Sequence, residues 1–226
     1  MSRYDLIKLD TDSKTWQELH VPTNCYFTSS IIPDILGFGY NSCAKRYDLM
    51  TGNTELPEKT SPFLQAVQQF GNDTEPIAIE KWYELHPEYT GIKAGVAKYN
   101  EYIMASCDQI LLHKEHKTLH LLEIKCTVTP REFNDGRDIP TKWIAQCQME
   151  MLCWNIHSCY LFIYQGEKEK NYIFKIEYHP EAVQRILNEI EEFIDNHLRK
   201  GIRPTRKYKD QLLVKQLHLS AIHLQD

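Results

Sequence analysis

The run LHLLEIKC, residues 119–126, constrains the fold most, because an apolar segment typical of a buried strand here carries two charges. Side chains alternate between the two faces of a strand, so Glu123 and Lys125 share a face with Leu119 and Leu121. A carboxylate and an ammonium therefore leave the backbone together beside apolar neighbours. The alternative is an edge strand that carries an ordinary surface ion pair.

The segment DQILLH, residues 108–113, is a second candidate strand, and the residues KEHK that follow it predict a hairpin loop. Counting symmetrically about that loop places Asp108 opposite Glu123, with Cβ atoms about 5 Å apart. Two negative charges at this separation repel by roughly 3 kcal/mol at an effective dielectric near 20, so a compensating cation is expected. Oxygen ligands suit Mg²⁺ or Mn²⁺, and Lys125 is placed to serve an attacking water. A register slip of one residue would separate the two acids.

Composition is that of a globular protein, with 42% hydrophobic and 25% charged residues and no apolar run long enough for a membrane span. We therefore expect a single intracellular domain, not a secreted or membrane protein. Seven cysteines without a CxxC pair or a secretory signal favour reduced, buried thiols. A zinc site is the alternative, drawn from the cysteines and the histidines at positions 113, 116, 120 and 157.

The order of elements predicts an α/β protein. Helical segments fill most of the first hundred residues, with serine or threonine caps and early prolines: TSSIIPDIL, SCAKRYDLMTG, and SPFLQAVQQF with TEPIAIEKWYELHP. Four segments then suggest a small antiparallel sheet: GIKAGVAKY, EYIMAS, DQILLH and TLHLLEIK. A helix (IPTKWIAQCQMEMLCWNIH), two strands (SCYLFIYQ and NYIFKIEY) and a long amphipathic helix (HPEAVQRILNEIEEFIDNHLRK) complete the domain.

We divide this single domain, residues 1–226, into an N-terminal helical part to about residue 70, a core of about 71–200 and a basic C-terminal segment from about 201. Between Arg199 and Lys215 the chain has seven basic residues and one acidic residue. This stretch is either a solvated tail or a contact for phosphates. The net charge of −5 argues against a protein that binds nucleic acid over its whole surface. It is compatible with a basic groove in one part of the surface.

Several short motifs resemble one nuclease family. The elements GNDTEP, SCDQ, EIKC and IAQCQ occur in the order seen in viral recombinase exonucleases of the lambda exonuclease or YqaJ type, within the PD-(D/E)XK superfamily. Further upstream, TSS at 28–30 and YDLMTG at 47–52 extend the resemblance, which covers residues 27–176. It implies a restriction-endonuclease-like core, with a central mixed sheet flanked by helices and N-terminal helical elements.

The resemblance assigns roles to individual residues. It implies that Asp108 and Glu123, with the backbone carbonyl of Ile124, bind the catalytic metal, and that Lys125 serves the attacking water. Glu75, in the helix that GNDTEP opens, matches the family's helical acid and assists the metal directly or through water. Without the resemblance, Glu75 would be a first-turn glutamate that complements a helix dipole.

Three further residues match positions that contact DNA in the family. Gln146 matches a glutamine beside the active site and the terminal phosphate, and Ser30 and Ser106 match hydroxyls that contact the DNA end. The simpler interpretations are an exposed polar residue for Gln146 and ordinary cap or strand-end serines for the other two.

The resemblance implies an Mg²⁺-dependent deoxyribonuclease, with Mn²⁺ also possible, that degrades double-stranded DNA 5′ to 3′ from an end. Such enzymes act in recombination or genome processing in phage- or virus-infected cells, with a single-strand annealing protein as partner. Relatives include homo-oligomeric rings and monomers. The first alternative is an endonuclease or a DNA/RNA nuclease. A non-catalytic nucleic-acid binding protein is the second, disfavoured because Glu75, Asp108, Glu123 and Lys125 are all present.

One departure from the family leaves 5′-phosphate dependence and processivity open. Processive members carry an arginine shortly before the early serine, and the corresponding region here, HVPTNCYF, has none. His20, Lys45 and Arg46 are candidate replacements.

Overall fold

The computed structural model describes residues 5–7, 26–53, 62–205 and 209–224, the first three as backbone. In chain order the first elements are β1 (Asp5–Ile7), β2 (Phe27–Thr28), α1 (Ile32–Ile35), α2 (Cys43–Met50), α3 (Pro62–Leu85), β3 (Tyr89–Lys93), β4 (Val96–Lys98) and β5 (Ile103–Ala105). Next come β6 (Gln109–His113), β7 (Leu119–Cys126), a 3-10 turn (Gly136–Asp138), α4 (Thr141–Trp154), β8 (Ser158–Tyr164) and β9 (Tyr172–Glu177). The last elements are α5 (Pro180–Phe193), a π turn (Ile194–Leu198), α6 (Gln211–Leu219) and β10 (Ala221–Leu224).

Two sheets organise these strands. The larger has the order β10-β9-β8-β7-β6-β3 and is antiparallel except between β7 and β8, which run parallel. The smaller has the order β1-β4-β5-β2, with β2 and β5 parallel. The predicted single antiparallel sheet is therefore wrong, because β4 and β5 leave the larger sheet and pair with β1 and β2. Those partners lie far away in sequence, where local patterns carry no information about pairing.

The predicted fold class is confirmed, since the larger sheet is mixed and has helices on both faces. On one face, Trp82 of α3 packs with Leu122 and Phe162. On the other, α4 and α5 share a cluster with Leu121 and Leu161. Leu121 belongs to the same strand face as Glu123 and Lys125. The charged face of β7 therefore points toward α4.

The predicted helix starts are confirmed in part. Ser42 caps α2 by accepting from the N–H of Lys45, and Gly52 follows the end of that helix with a φ of +71°. The predicted Ser or Thr cap of α1 is wrong, because Ile31 is its N-cap and makes no side-chain hydrogen bond. Helix α3 begins at Pro62, and the predicted cap Ser61 lies outside the described residues. It runs unbroken past residue 70, where the sequence suggested a boundary.

The C-terminal segment belongs to the folded domain. Strand β10 pairs with β9 along Ala221–Leu224 and forms one edge of the larger sheet, and α6 packs against α4 and α5. Part of the basic charge is neutralised, since Arg203 pairs with Asp48 and Arg199 with Asp195. The stretch is therefore not a free tail, although the basic side chains that the structure describes there are exposed to solvent. No helix in the described ranges has the length and apolar character needed to cross a bilayer.

A buried ion pair joins α1 to α2. Asp34 is 2% exposed and accepts from Nε and Nη2 of Arg46 at 3.1 and 2.7 Å and from the N–H of Asn41 at 2.9 Å. A Cβ on Gly39 would collide with this aspartate, so the loop packs directly onto it. The pair is satisfied on both sides, which a buried charge requires.

We predict that Asp34→Ala lowers the free energy of unfolding by about 3–5 kcal/mol, because it leaves Arg46 buried without a counter-charge. Urea denaturation measures the loss. Glu84→Ala, which breaks the exposed Lys81–Glu84 pair, is the control and costs less than about 1 kcal/mol. Adding Arg46→Leu to Asp34→Ala recovers part of the loss; equal losses for Asp34→Ala and Glu84→Ala would contradict the prediction.

Candidate active site

The hairpin of β6 and β7 brings Asp108 and Glu123 together. Gln109 pairs with Leu122 and Ile110 with Leu121, which is the predicted register. One residue further from the turn, the same register places Asp108 opposite Glu123. Asp108 donates its N–H to the carbonyl of Leu122 at 3.1 Å. Its Oδ2 accepts the N–H of Ile124 at 2.6 Å. The aspartate is thus fixed across the strand that carries Glu123.

Glu123 and Lys125 form a buried pair. The Lys125 Nζ lies 2.6 Å from Glu123 Oε1, and the side chains of Lys125 and Glu123 are 20% and 5% exposed, respectively. Strand β7 lies between β6 and β8 inside the sheet. The alternative interpretation, an edge strand with a surface ion pair, is therefore wrong.

Gln146 of α4 completes a hydrogen-bonded group with this pair. Its Oε1 accepts from Lys125 Nζ at 2.9 Å, and its Nε2 donates to Glu123 Oε1 at 2.6 Å. Nε2 also donates to Oε1 of Glu150, a residue not singled out from the sequence, at 2.9 Å. The amide oxygen faces the ammonium and the amide nitrogen faces two carboxyl groups. Gln146 consequently lies at the site and not on an exposed helix face.

Glu75 lies in the middle of α3, not at the start of a helix as the motif GNDTEP suggested. The helix continues through Pro76, although proline has no N–H to donate to the preceding turn. The helix-dipole interpretation of Glu75 therefore does not apply. Burial is the main cause that raises the pKa of Asp108 and of Cys126, and the negative charge of Glu75 adds to it in both cases, so Glu75 lies close enough to act on the site electrostatically.

A cavity of about 220 Å³ opens beside Lys125 and Gln146. Ser30 is exposed and lines it, whereas Ser106, between β5 and β6, is not part of the lining. Two residues that the sequence analysis missed also line it, Tyr40 and Lys142. Lys142 lies one helical turn before Gln146, a spacing that places both on the same helix face and was readable from the sequence.

The three candidate replacements for the missing arginine, His20, Lys45 and Arg46, differ in their positions and contacts. Arg46 is 8% exposed and committed to Asp34, so it is unavailable for DNA. Lys45 lies in the first turn of α2, away from the cavity lining, and His20 is outside the described residues. Lys142 instead supplies a cation at the cavity, with its Nζ 3.1 Å from the centroid of the Tyr40 ring.

The family of the chain follows from a comparison of its sequence. Residues 15–157, well over half of the 226, match the model of the YqaJ-like viral recombinase domain. The chain belongs to the YqaJ-like viral recombinase family. A comparison with curated protein sequences gave no match.

Solved structures show the same fold as this YqaJ-like domain. An alkaline exonuclease, LHK-Exo from Laribacter hongkongensis, matches with a TM-score of 0.60 and 16% identity, over 83% of this chain and 94% of that one. The same exonuclease in complex with dAMP matches with a TM-score of 0.59 and 16% identity, over 81% of this chain and 93% of that one. At this identity the likeness concerns the fold.

Negative charge accumulates at the site of the YqaJ-like domain. Burial, and then the charges of Glu123 and Glu75, raise the pKa of Asp108 well above its usual range. Burial opposes the charge of Lys125, but attraction to Glu123 and Asp108 outweighs it and keeps the pKa of this lysine above its ordinary value. Lys125 is therefore a permanent cation at neutral pH, among acids that outnumber it.

The residues fit a hard divalent cation. Asp108, Glu123 and the carbonyl of Ile124 offer oxygen ligands, and a cation would relieve the repulsion that raises the pKa of Asp108. The acids of the site do not form a compact three-ligand cluster: within the described ranges, only Cys147, Glu150 and Cys159 have three donor atoms all within 4.8 Å of one another.

The cysteines behave as predicted from the sequence. All six cysteines that the structure describes are free, and five of them are buried. Burial raises the pKa of Cys159 well above its usual value, which keeps it as an unreactive thiol. The histidines at 113, 116, 120 and 157 form no three-ligand group with a cysteine in the described part of the chain. The alternative interpretation, a zinc site built from these histidines and the cysteines, is thus wrong for the described residues.

We predict that Mg²⁺ or Mn²⁺ raises the thermal unfolding midpoint by several degrees. A ligand at about 100 times its Kd adds about 2.7 kcal/mol, and each kcal/mol is worth roughly 2–4 °C for a chain of this size. Asp108→Asn should abolish the shift, measured by scanning calorimetry, whereas Asp73→Asn on the exposed surface of α3 should keep it.

Without metal, Asp108→Asn should unfold at or above the wild-type temperature. Because the folded state raises the pKa of this acid, its ionisation costs stability once the pH exceeds about 4, and asparagine does not ionise. A full metal shift in Asp108→Asn would contradict the assignment.

Proposed function

We propose that the chain is a metal-dependent exonuclease that hydrolyses double-stranded DNA 5′ to 3′ from an end. The observation that carries this proposal is the hydrogen-bonded group of Glu123, Lys125 and Gln146 beside a cavity, with Asp108 fixed opposite Glu123 by the Ile124 N–H. Family membership and a fold shared with an alkaline exonuclease support it. The same exonuclease was also solved in complex with dAMP, which supports a nucleic-acid substrate.

Each residue of the group has a distinct task. A divalent cation held by Asp108, Glu123 and the Ile124 carbonyl, with Glu75 nearby, would supply polarisation of the scissile phosphoryl group. Lys125 stays protonated, so it orients the attacking water as a donor and offsets charge that develops on the phosphate. Water attacks in line, the bond from phosphorus to the 3′-oxygen breaks, and a 5′-phosphate remains on the product.

We predict that Asp108→Asn and Lys125→Gln each lower kcat by at least about a hundredfold, because each removes charge stabilisation of the transition state. The assay uses linear duplex with Mg²⁺ and measures released mononucleotides, with EDTA abolishing release. Lys175→Gln is the matched control, since Lys175 pairs with a glutamate, Glu177, on another strand of the same sheet. Near-normal activity in Asp108→Asn would refute the proposed metal site.

Products separate this function from its alternatives. Mononucleotides from linear duplex support an exonuclease, whereas nicking of circular DNA supports an endonuclease and release from RNA a broader nuclease. DNA binding that is indifferent to Mg²⁺, without cleavage, supports a non-catalytic binding protein. An exonuclease of this polarity exposes a single strand, for which an annealing protein is the expected partner.

Lys142 supports dependence on a 5′-phosphate, which the missing arginine left open. Lys142 and Lys125 both line the cavity, and none of its described lining residues is acidic. At about 220 Å³ the cavity lies below the roughly 300 Å³ at which small-molecule pockets begin. A single phosphate group with two flanking ammonium groups matches this size and charge.

We predict that Lys142→Gln narrows the rate difference between 5′-phosphorylated and 5′-hydroxyl duplex ends by at least about tenfold, since it removes a charged hydrogen bond to the phosphate. Lys142→Arg should preserve the difference. Lys170→Gln is the control, because Lys170 also lies over a tyrosine ring, that of Tyr172, but outside the cavity lining. An equal effect of Lys142→Gln on both kinds of end would rule out phosphate recognition by Lys142.

A further inference from the structure

Glu150 is a fully buried acid that links two parts of the site. It lies one helical turn after Gln146 on α4 and is 0% exposed. Its Oε1 accepts from Gln146 Nε2 at 2.9 Å and from Ser29 Oγ at 3.3 Å. Its Oε2 is buried and has no hydrogen-bond partner among the described residues. One carboxyl oxygen therefore joins α4 to the segment that carries Ser30.

Stability alone does not account for an acid at this position. A buried carboxyl group costs free energy even when it is hydrogen-bonded, and an unpartnered oxygen adds to that cost. Burial, and then the charge of Glu123, raise the pKa of Glu150 well above its usual value, because both disfavour the charged form of this carboxyl group. An apolar side chain of similar volume would fill the same space at lower cost.

We propose that Glu150 is a positioning residue that fixes the Gln146 amide against Glu123 and Lys125 and holds the Ser29–Ser30 segment at the cavity. The catalytic part of this inference rests on the proposed function; the structural part does not. Glu150 itself touches neither substrate nor metal, and it acts through Gln146 and Ser29.

The geometry explains why a third contact matters for Gln146. The terminal torsion of a glutamine is broad and nearly two-fold, so it sets the amide poorly by itself. Glu123 and Lys125 lie two residues apart on β7 and approach from the same strand. Glu150 provides an acceptor from α4 for the second Nε2 hydrogen. With both hydrogens and the oxygen engaged, the amide has one satisfied orientation.

The same oxygen positions the cavity wall. Ser29 is 4% exposed, whereas its neighbour Ser30 is exposed and lines the cavity. The Oγ atom of Ser30 lies 3.1 Å from Thr28 Oγ1. Holding the Ser29 hydroxyl therefore sets how Ser30 is presented. Ser29→Ala should reproduce part of the effect of removing Glu150, and the two changes should be non-additive because they break one shared contact.

The decisive experiment compares Glu150→Ala, Glu150→Gln and Gln148→Ala. Gln148 is the matched control: it is 0% exposed on the same helix and hydrogen-bonds away from the site, to the Glu177 carbonyl, Ser220 Oγ and the His179 N–H. We expect Glu150→Ala to lower kcat by about 10- to 100-fold, the usual effect of losing a residue that orients an active-site group. Glu150→Gln keeps an oxygen acceptor on a side chain of the same length and should restore activity, and Gln148→Ala should lose stability without losing kcat.

A measurement without catalysis separates the two proposals. The side-chain amide resonances of Gln146, assigned by their loss in Gln146→Ala, report its hydrogen bonds by NMR. We expect them to shift and exchange faster with solvent in Glu150→Ala and to remain near wild type in Glu150→Gln and Gln148→Ala. This outcome supports the positioning role even if the wild-type chain cleaves no DNA, in which case the proposed function alone fails.

Three outcomes would overturn the inference. Gln146 resonances unchanged in Glu150→Ala would show that Glu150 does not hold the amide. A kcat loss in Gln148→Ala equal to that in Glu150→Ala would reduce the role to general stability. A purified wild-type chain that retains one zinc ion, lost in Glu150→Gln, would instead make Glu150 a metal ligand with Cys147 and Cys159, whose donor atoms lie within 4.8 Å.

Discussion

The pairing of β6 with β7 is the constraint on which the rest of the site depends. One hydrogen bond, from the Ile124 N–H to Asp108 Oδ2 at 2.6 Å, fixes the aspartate across the strand that bears Glu123 and Lys125. The alternation of side chains makes this register essential, because a slip of one residue would turn Glu123 and Lys125 toward α3 and its apolar cluster. The short turn between the strands, closed by the Lys117 N–H on the His113 carbonyl, holds that register.

The topology of the larger sheet places helix α4 beside the hairpin of β6 and β7, where Asp108, Glu123 and Lys125 lie. Strands β7 and β8 run parallel, and a parallel pair requires a crossover, which α4 provides. The helix in that crossover packs on the sheet face that contains Leu121, which is also the face of Glu123 and Lys125. Gln146 and Glu150 reach the charged pair because α4 lies on that face.

The sequence predicts local features well and pairing between distant segments poorly. The register of Asp108 with Glu123 follows from a loop length, and helix α4 was predicted within the segment IPTKWIAQCQMEMLCWNIH; both are confirmed. The division into two sheets, and the return of the C-terminal segment as α6 and β10, depend on partners far away in the chain. The spacing of Lys142 from Gln146 predicts that both lie on one helix face. That this face lines a cavity depends on Tyr40 and Ser30, which the fold brings from another segment. Glu150 had no signal of its own, because an acid on an apolar helix face gives no indication of its partners.

Two regions of opposite charge meet at Lys125. On one side lie the acids Asp108, Glu123 and Glu75, where burial, and then the charges of the other two acids, raise the pKa of Asp108; shifts of this kind cluster at functional sites. On the other side, the cavity has Lys125 and Lys142 and no acid among its described lining residues. The proposed divalent cation belongs to the first region and the proposed phosphate group to the second. The proposed hydrolysis needs both beside the path of the attacking water, and Gln146, which hydrogen-bonds to Glu150, holds Lys125 at that boundary.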